Sequence, residues 1–324
     1  MKIMINTSRI KKVGLSAKLG QTWRTIKRYK VLYLFLLPAV VWFFVFCYIP
    51  MGGLIMVAKD YSFVKGILAS PWEEPWYKNF QLFFNMPELK NMVKNTVVIA
   101  LLRLALFPAP IILAIMLNEV RNPVFKKIVQ TISYFPFFIS WVIVTSMLEQ
   151  LLTPYGSGGP LYHMLQLLSG SDQVRYYMID KPYFYPLVVI TYLWKTIGWN
   201  SIVYLAAISN IDPSLFEAAE IDGCSRMRVI RKVILPHLKT PITLLFVMAL
   251  GSIMSAGFEQ IYFLQSPANY DYSNVLDVLV VKYGIEQGKY AIAAVAGLFQ
   301  GVIGLIFIVI GNTVTKKTGG ASLW

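Results

Sequence analysis

Six stretches of mostly apolar residues, separated by shorter polar segments, dominate this chain. Each is close to the roughly 20 residues that an α-helix needs to cross the hydrocarbon core of a bilayer. The pattern predicts an all-α fold, a polytopic membrane helical bundle of about six transmembrane helices. Polar residues and a proline interrupt the third and fourth stretches. The predicted spans are 31–58, 92–117, 128–152, 184–208, 241–264 and 289–313.

Positive charge is concentrated on every second connecting segment. Nineteen of the 30 Lys and Arg lie in segments on one predicted side of the membrane, and seven lie on the other. Because cytoplasmic loops carry an excess of Lys and Arg, the first side is predicted to be cytoplasmic, and both termini with it. Its segments are 1–30, 118–127, 209–240 and 314–324, and the outer segments are 59–91, 153–183 and 265–288.

The domain organisation follows from this layout. We predict a basic cytoplasmic arm at 1–30, a transmembrane domain at 31–314 with a cytoplasmic loop at 212–236, and a cytoplasmic tail at 315–324. The arm has nine Lys or Arg and no acidic residue. A signal peptide fits less well, because the apolar stretch is too long and no cleavage site of small residues follows it. A nucleic-acid tail also fits less well, because the arm runs directly into a span.

Composition narrows the function classes. Hydrophobic residues make up 56% of the chain and charged residues 14%, whereas soluble domains average about 25% charged residues. The two His are far apart, and Cys47 and Cys224 lie in different surroundings, so we expect neither a metal site nor a disulfide. An intramembrane enzyme would need paired Asp residues in the spans or a His-rich site, and the sequence has neither.

A charged, helix-forming segment, EAAEIDGCSRMRVIRKVILPHL, interrupts the apolar pattern at 217–238. Asp212 followed by Pro213 predicts a helix start, and Ser214 and Glu217 have the spacing of a capping box. Gly223 can take the left-handed conformation that ends a helix.

A second helix, MRVIRKVIL, is predicted after a cap at Ser225 and is expected to end near Pro236. We expect the apolar residues of both helices to rest on the ends of the spans. These residues are Leu215, Ala218, Ala219, Ile221, Met227, Ile230, Val233 and Ile234. An amphipathic loop lying on lipid is the alternative.

The segment resembles the EAA loop of binding-protein-dependent ABC importer permeases, whose pattern is EAA-x3-G-x9-I-x-L-P. Val233 stands where Ile is typical, and Ile230 stands where the family often has Phe. The resemblance implies that the loop is a coupling helix seated on an ATPase, with Glu217 in contact and Gly223 at the bend. The residues that it assigns to coupling are Glu217, Ala218, Ala219, Asp222, Gly223, Leu235 and Pro236.

The resemblance extends along nearly the whole chain. FPAPIILAIMLNEVRN, QTISYFPFFISWVI and WKTIGWNSIVYLAAISNIDP are similar to the polysaccharide-type branch of carbohydrate importer permeases. It implies a second related permease, an ATPase dimer, an external solute-binding protein and an oligosaccharide substrate, acidic ones included. It also implies the cytoplasmic membrane of a bacterium.

The chain lacks an ATP site of its own. At 311–318, the nearest approach to a phosphate loop, Lys316 stands where the second Gly is needed. We therefore expect a transport subunit and not an enzyme. No cofactor is expected on this chain, and ATP and Mg are expected on the partner ATPase.

Polar residues inside predicted spans are candidates for the solute path, because such groups usually face a cavity or another helix. Aromatic faces and amides together suit a sugar ring and its hydroxyls. Two alternatives stay open: Lys195 pairs with a carboxylate or reaches the interface, and Trp194 and Trp199 anchor at the interface. The candidates are Arg103, Trp194, Lys195, Trp199, Asn200, Tyr204, Glu259 and Gln260.

Two further hypotheses concern the solute and the helix packing. Arg103 and Lys195 would favour an anionic sugar. Gly297, Gly301 and Gly304 predict a close helix contact in the last span.

Two other functions compete with an ATP-driven importer. A secondary transporter or channel also has midplane charges and broken helices, but the chain has no clear internal repeat, and such a protein needs no docking loop. A different cargo, such as a peptide, an amino acid or a phosphate ester, would use the same machinery.

Overall fold

The computed structural model describes residues 27–170, 173–317 and 319–324. These residues form helices, with one isolated bridge between Lys59 and Trp72, so the all-α prediction is confirmed. Residues 1–26 of the predicted basic arm lie outside the described residues. The helices are α1 (Lys30–Ala58), α2 (Gly66–Ala69), α3 (Lys78–Phe84), α4 (Leu89–Glu119), α5 (Pro123–Phe138), α6 (Trp141–Leu152), α7 (Pro160–Ser169), α8 (Lys181–Ser209), α9 (Pro213–Ile221), α10 (Arg226–Gly251), α11 (Phe258–Leu264), α12 (Tyr270–Ser273), α13 (Leu276–Val281) and α14 (Tyr290–Lys317).

The chain divides into two units, 1–55 and 56–324. In the first unit, the described part is the run of α1 up to Ile55. Its apolar side chains are exposed around the whole helix, and Phe35 is 78% exposed. An apolar surface on all sides is typical of a helix surrounded by lipid or by other membrane helices.

Four helices of the described chain, α1, α4, α10 and α14, are long and apolar enough to cross a membrane. The bent pair α5 and α6 makes a fifth candidate. Helix α8 has 29 residues and is about 43 Å long at 1.5 Å per residue, but its polar residues lower its hydropathy. The polytopic membrane bundle is confirmed, and six is an approximate number of spans.

The third predicted span is not one straight helix. Its two parts, α5 and α6, meet at an angle of 100°. Pro136 lacks the N–H that would continue α5, and the last turn tightens into a 3₁₀ helix at Phe135–Phe138. Ser140 then begins α6, because its hydroxyl accepts a hydrogen bond from the Ile143 N–H at 3.4 Å.

The fifth predicted span, 241–264, is wrong at both ends. Helix α10 begins at Arg226, continues through Pro236 and ends at Gly251. A π turn at Ile230–Ile234 precedes Pro236. Because of this wider turn, the helix can continue without the backbone hydrogen bond that Pro236 cannot donate. The expectation that the second helix ends near Pro236 is therefore also wrong. The helix ends at Gly251, and an irregular segment follows it. Gly257, with φ of 79°, is the last residue before α11.

A close helix contact of the last span joins α14 to α10. A methyl group at Gly304 would overlap the carbonyl oxygen of Gly251. Among the described residues, no atom from another part of the chain lies within 4 Å of the same position at Gly297 or Gly301. The predicted close packing therefore occurs at Gly304, whereas Gly297 and Gly301 leave open space within the chain.

One hydrophobic cluster connects the spans to the loop at 212–236. Its buried members come from α4, α8 and α10, with Ile211 next to the loop, and Phe216 of α9 packs against it. Because packed interiors transmit displacement rather than absorbing it, this cluster makes α9 mechanically continuous with three long helices. Its buried members are Ile111, Ala114, Tyr204, Ile208, Ile211, Ile234 and Leu238.

Candidate functional site

A cavity of about 620 Å³ lies between α4, α8, α10 and the segment that follows α10. Ligand sites in proteins commonly have about 300–1,000 Å³. The lining mixes aromatic, aliphatic and polar side chains with one charged side chain, Arg103. The lining residues that carry polar or aromatic groups are Arg103, Phe107, Tyr192, Thr196, Trp199, Asn200, Tyr204, Ser252 and Ser255.

Four of the eight candidate solute-path residues line this cavity, namely Arg103, Trp199, Asn200 and Tyr204. Trp199 is 41% exposed, and Tyr204 is 2% exposed and belongs to the hydrophobic cluster that reaches α9. Asn200 and Tyr204 share one helix face, as their spacing of four residues predicts. Their contact with solute stays a prediction.

Trp199 forms an aromatic platform with the end of α5. Its ring stacks on Phe137 with centroids 4.4 Å apart and an angle of 2° between the planes. Phe138 meets the Trp199 ring edge-on at 5.8 Å. Flat aromatic faces of this kind pack against the apolar face of a sugar ring.

The guanidinium of Arg103 is held from two sides. Its Nη2 donates a hydrogen bond to Gln260 Oε1 at 2.5 Å, and its Cζ lies 4.2 Å from the centroid of the Tyr192 ring. The Nε atom is buried, and none of the described residues offers it a hydrogen-bond partner. One N–H of the guanidinium is therefore unsatisfied within this part of the chain.

Gln260 is a buried brace and does not line the cavity. Its amide nitrogen donates to the carbonyl of Val188 and to the hydroxyl of Thr191, both at 2.8 Å. These bonds fix α11 to α8, and the remaining amide oxygen is aimed at Arg103. Gln260 thus acts on the cavity through Arg103.

Lys195 also lies outside the cavity lining, and its side chain is 7% exposed. Its ammonium donates to the carbonyl oxygens of Pro136 at 3.2 Å, Phe137 at 2.8 Å and Ile139. The last carbonyls of a helix have no partner inside the helix, so Lys195 closes the end of α5 at its bend.

The other two candidates, Trp194 and Glu259, do not line the cavity either. Trp194 is exposed on α8 next to Lys195, and Glu259 is exposed on α11 next to Gln260. The structure thus gathers half of the predicted set at the cavity and distributes the remainder around it.

Sequence reasoning missed four polar lining residues, Tyr192, Thr196, Ser252 and Ser255. A signal for two of them was present, because Tyr192 and Thr196 precede Asn200 at intervals of four residues and so share its helix face. Ser252 and Ser255 belong to the break after α10, which the sequence pattern did not predict.

The start of the loop at 212–236 has the predicted local chemistry. Asp212 caps α9, and its carboxylate accepts the Ser214 N–H at 2.9 Å. Hydrogen bonds from Ser214 hold the pKa of Asp212 below its usual value. Ser214 is therefore inside the helix, and the capping box with Glu217 does not form at the helix start. Gly223 has φ of 64° at the predicted bend.

The apolar faces of the loop rest on the spans only in part. Ala219 and Ile234 are buried, and Ile230 and Val233 are partly buried. The expectation is wrong for four exposed residues. Three lie on α9, which presents only one side to the hydrophobic cluster, and the fourth lies at the start of α10; Ile221 is 86% exposed. The four are Leu215, Ala218, Ile221 and Met227.

The residues assigned to coupling form a largely exposed surface. Glu217, Asp222 and Gly223 are exposed, as are Leu235 and Pro236 within α10. Arg226 makes an ion pair with Glu119 at 3.4 Å, which ties the loop to the end of α4. Of the predicted coupling set, Ala219 alone is buried.

Comparison with known proteins agrees with this arrangement. Residues 107–318 match the family of binding-protein-dependent transport system inner membrane components. The polygalacturonan/rhamnogalacturonan transport system permease protein YteP of Bacillus subtilis is 38% identical, and the match covers 91% of this chain and 90% of YteP. Protein LplB of the same organism is 37% identical, with 94% of each chain covered.

A solved structure extends the likeness to the whole fold. A bacterial ABC transporter involved in the import of the acidic polysaccharide alginate has a chain that is 36% identical, with a TM-score of 0.80. The match covers 92% of this chain and 99% of that one. The alginate ABC transporter has also been crystallised in complex with an alginate pentasaccharide-bound periplasmic protein. The present chain belongs to the binding-protein-dependent transport system inner membrane components, and it is a multi-pass permease subunit of the inner membrane.

Proposed function

We propose that this chain is the transmembrane permease subunit of an ATP-driven importer that takes up an oligosaccharide delivered by a solute-binding protein. The observation that carries the proposal is the exposed helix α9, rigidly packed at its base and open on its outer face. A secondary transporter or channel would have no use for such a helix. The transported solutes in the names of YteP and the alginate transporter support a sugar cargo.

The outer face of α9 and the start of α10 have the chemistry of a protein docking surface. This surface includes the exposed apolar residues Leu215, Ile221 and Met227 and the exposed carboxylate of Glu217. Exposed apolar side chains rimmed by charges mark interaction sites. The occupant in this proposal is a separate ATPase dimer, which carries the ATP and Mg, while this chain binds no cofactor.

Force from the ATPase reaches the cavity through packed side chains. Phe216 of α9 packs against the hydrophobic cluster that contains Tyr204, and Tyr204 also lines the cavity. A displacement of α9 on closure of the ATPase dimer therefore moves the cavity wall. Glu119 and Arg226 provide a second link, from the loop to the end of α4.

The transport cycle in this proposal is alternating access without covalent chemistry. A loaded solute-binding protein docks on the outer segments 59–91 and 265–288. The cavity between this chain and a second related permease then opens outward, accepts the sugar and reopens inward after ATP hydrolysis. Both termini, including the basic arm and the tail at 315–324, are cytoplasmic, in keeping with the excess of Lys and Arg on that side.

The test is copurification of an ATPase with this chain in mild detergent. Glu217→Arg reverses a charge on the docking surface, so we expect loss of the ATPase or of the stimulation of its activity by a loaded binding protein. The control is Glu149→Arg, which makes the same change at an exposed position of α6. If Glu217→Arg retains fully stimulated ATPase, or if no ATPase accompanies the wild type, the proposed coupling is wrong.

A further inference from the structure

Arg103 is the single charged side chain among the residues that line the cavity. The lining contributes no carboxylate that could neutralise it. An unpaired guanidinium at membrane depth is expensive, and such groups usually face a binding partner or a water-filled path. The described lining therefore supplies no ion-pair partner for Arg103, and the carboxylate whose charge acts on it, that of Asp277, lies outside the lining.

The negatively charged carboxylate of Asp277 lies close to this region, and both of its oxygens accept hydrogen bonds from other groups. Its Oδ2 accepts the Ala256 N–H at 2.6 Å. Its Oδ1 accepts the Ser255 hydroxyl at 3.1 Å and the Gln300 amide at 3.3 Å. Asp277 thus holds the break after α10 together, and no ion pair between it and Arg103 occurs in the described part of the chain.

The second cation considered for an anionic solute, Lys195, is committed elsewhere. All of its hydrogen bonds found among the described residues go to the carbonyls that end α5. It is also absent from the cavity lining. Lys195 and Arg103, which the sequence does not distinguish, therefore have different surroundings in the structure. Of the two cations, Arg103 is the one that lines the cavity.

The surroundings of Arg103 fix its direction. Gln260 holds Nη2, and the ring of Tyr192 supports the flat face of the guanidinium. The backbone of Gly257 passes so close that a Cβ atom there would lie 2.7 Å from Nη1. A guanidinium fixed in this way is pre-organised for a planar anion, and a carboxylate matches its fork of N–H donors.

We propose that Arg103 is the specificity-determining residue of the cavity and that it binds the carboxylate of a uronic acid unit in the transported oligosaccharide. Trp199 offers an aromatic face for the sugar ring, and Asn200 and Thr196 offer hydrogen bonds to its hydroxyls. Gln260 is a positioning residue that acts through Arg103. This inference rests on the proposed function and names the class of sugar.

The competing explanation is that Arg103 only braces α4 against α11 through Gln260. A brace affects every solute equally, whereas a carboxylate-binding residue affects charged solutes alone. The discriminating quantity is therefore the ratio of uptake of an acidic oligosaccharide to uptake of its neutral counterpart. Galacturonate trisaccharide and its fully methyl-esterified form are such a pair, because they differ in charge but share ring structure and linkage.

The experiment measures ATP-driven uptake of both trisaccharides by the complete complex in proteoliposomes, with saturating binding protein. The variants are Arg103→Gln and Arg103→Lys, and Lys94→Gln is the matched control, because it removes a positive charge from an exposed position on the same helix. A hydrogen bond to a charged group is strong enough that its loss changes a rate or an affinity by about tenfold or more. We therefore expect Arg103→Gln to lower the ratio of acidic to neutral trisaccharide uptake by that factor. Arg103→Lys keeps the charge without the fork, so it retains part of the ratio even if Arg103→Gln assembles poorly.

Each outcome is decisive. A ratio that falls in Arg103→Gln, is intermediate in Arg103→Lys and is unchanged in Lys94→Gln supports the assignment. Equal losses for both sugars in the Arg103 variants identify a brace and overturn it. A wild type that imports the neutral trisaccharide as well as the acidic one overturns it too, but leaves the importer function intact. A wild type that shows no ATP-driven uptake of either sugar overturns the assignment together with the proposed oligosaccharide import.

Discussion

Replacing Lys195 with Met removes the ammonium that closes the end of α5 while keeping a side chain of similar length. The ammonium bonds the carbonyls of Pro136, Phe137 and Ile139. Polar interactions within membrane proteins average about 0.6 kcal/mol each, and a bond to a charged group contributes about 1.5–3 kcal/mol. At about 0.6 kcal/mol each, the three bonds together give a loss of about 2 kcal/mol in the free energy of unfolding, and the value for bonds to a charged group gives a larger loss of about 4.5 kcal/mol or more.

The assay is thermal unfolding of the purified chain in mild detergent, followed by tryptophan fluorescence. We expect Lys195→Met to lower the melting temperature by several degrees and Lys195→Arg to restore part of the loss. Lys94→Met is the control, because Lys94 is exposed on α4. A melting temperature of Lys195→Met equal to that of the control would refute the idea that Lys195 stabilises the bend.

Two further predictions concern the helix contact and the helix cap. Gly304→Leu should strongly impair assembly of the folded chain, because its side chain would overlap the backbone of Gly251; Gly301→Leu should be tolerated far better, and size-exclusion profiles of the two variants compare them. Asp212→Asn should remove a pH dependence of the stability of α9. Because the pKa of Asp212 is lowered in the folded chain, its ionised form stabilises α9 at pH values above the pKa of the unfolded chain. This stabilisation is lost as pH falls through the pKa of the folded chain. The protection of α9 amides against hydrogen exchange, corrected for the intrinsic exchange rate at each pH, should therefore fall severalfold at low pH in the wild type, and an equal fall in Asp212→Asn would contradict the reasoning.

Local chemistry was predictable from the sequence where it acts over a few residues. The cap at Asp212 and the bend at Gly223 follow from side-chain and backbone preferences that neighbouring residues determine. The apolar runs also identified most helices, because the membrane requires long apolar segments. The positions at which helices bend, end or continue through a proline were not predictable in the same way. Helix α10 passes through Pro236 because a π turn precedes it, and hydropathy contains no information about that turn.

The site was predictable as a set of residue types but not as an arrangement. Polar groups in spans were expected to face a cavity or another helix; Arg103 does the first and Lys195 the second, whereas Glu259 is exposed. The difference depends on the carbonyls at the bend of α5, which come from a helix about 60 residues away along the chain. Contacts of this kind follow from tertiary packing, so residue spacing within one helix cannot reveal them.

The most direct test of the central claim is accumulation of a labelled oligosaccharide in proteoliposomes that contain this chain with its partner permease and ATPase. The account predicts uptake that requires ATP and a loaded solute-binding protein and that is lost in Glu217→Arg while the complex remains folded. Uptake that continues without ATP, driven by an ion gradient or by the sugar gradient alone, would contradict an ATP-driven importer coupled through α9.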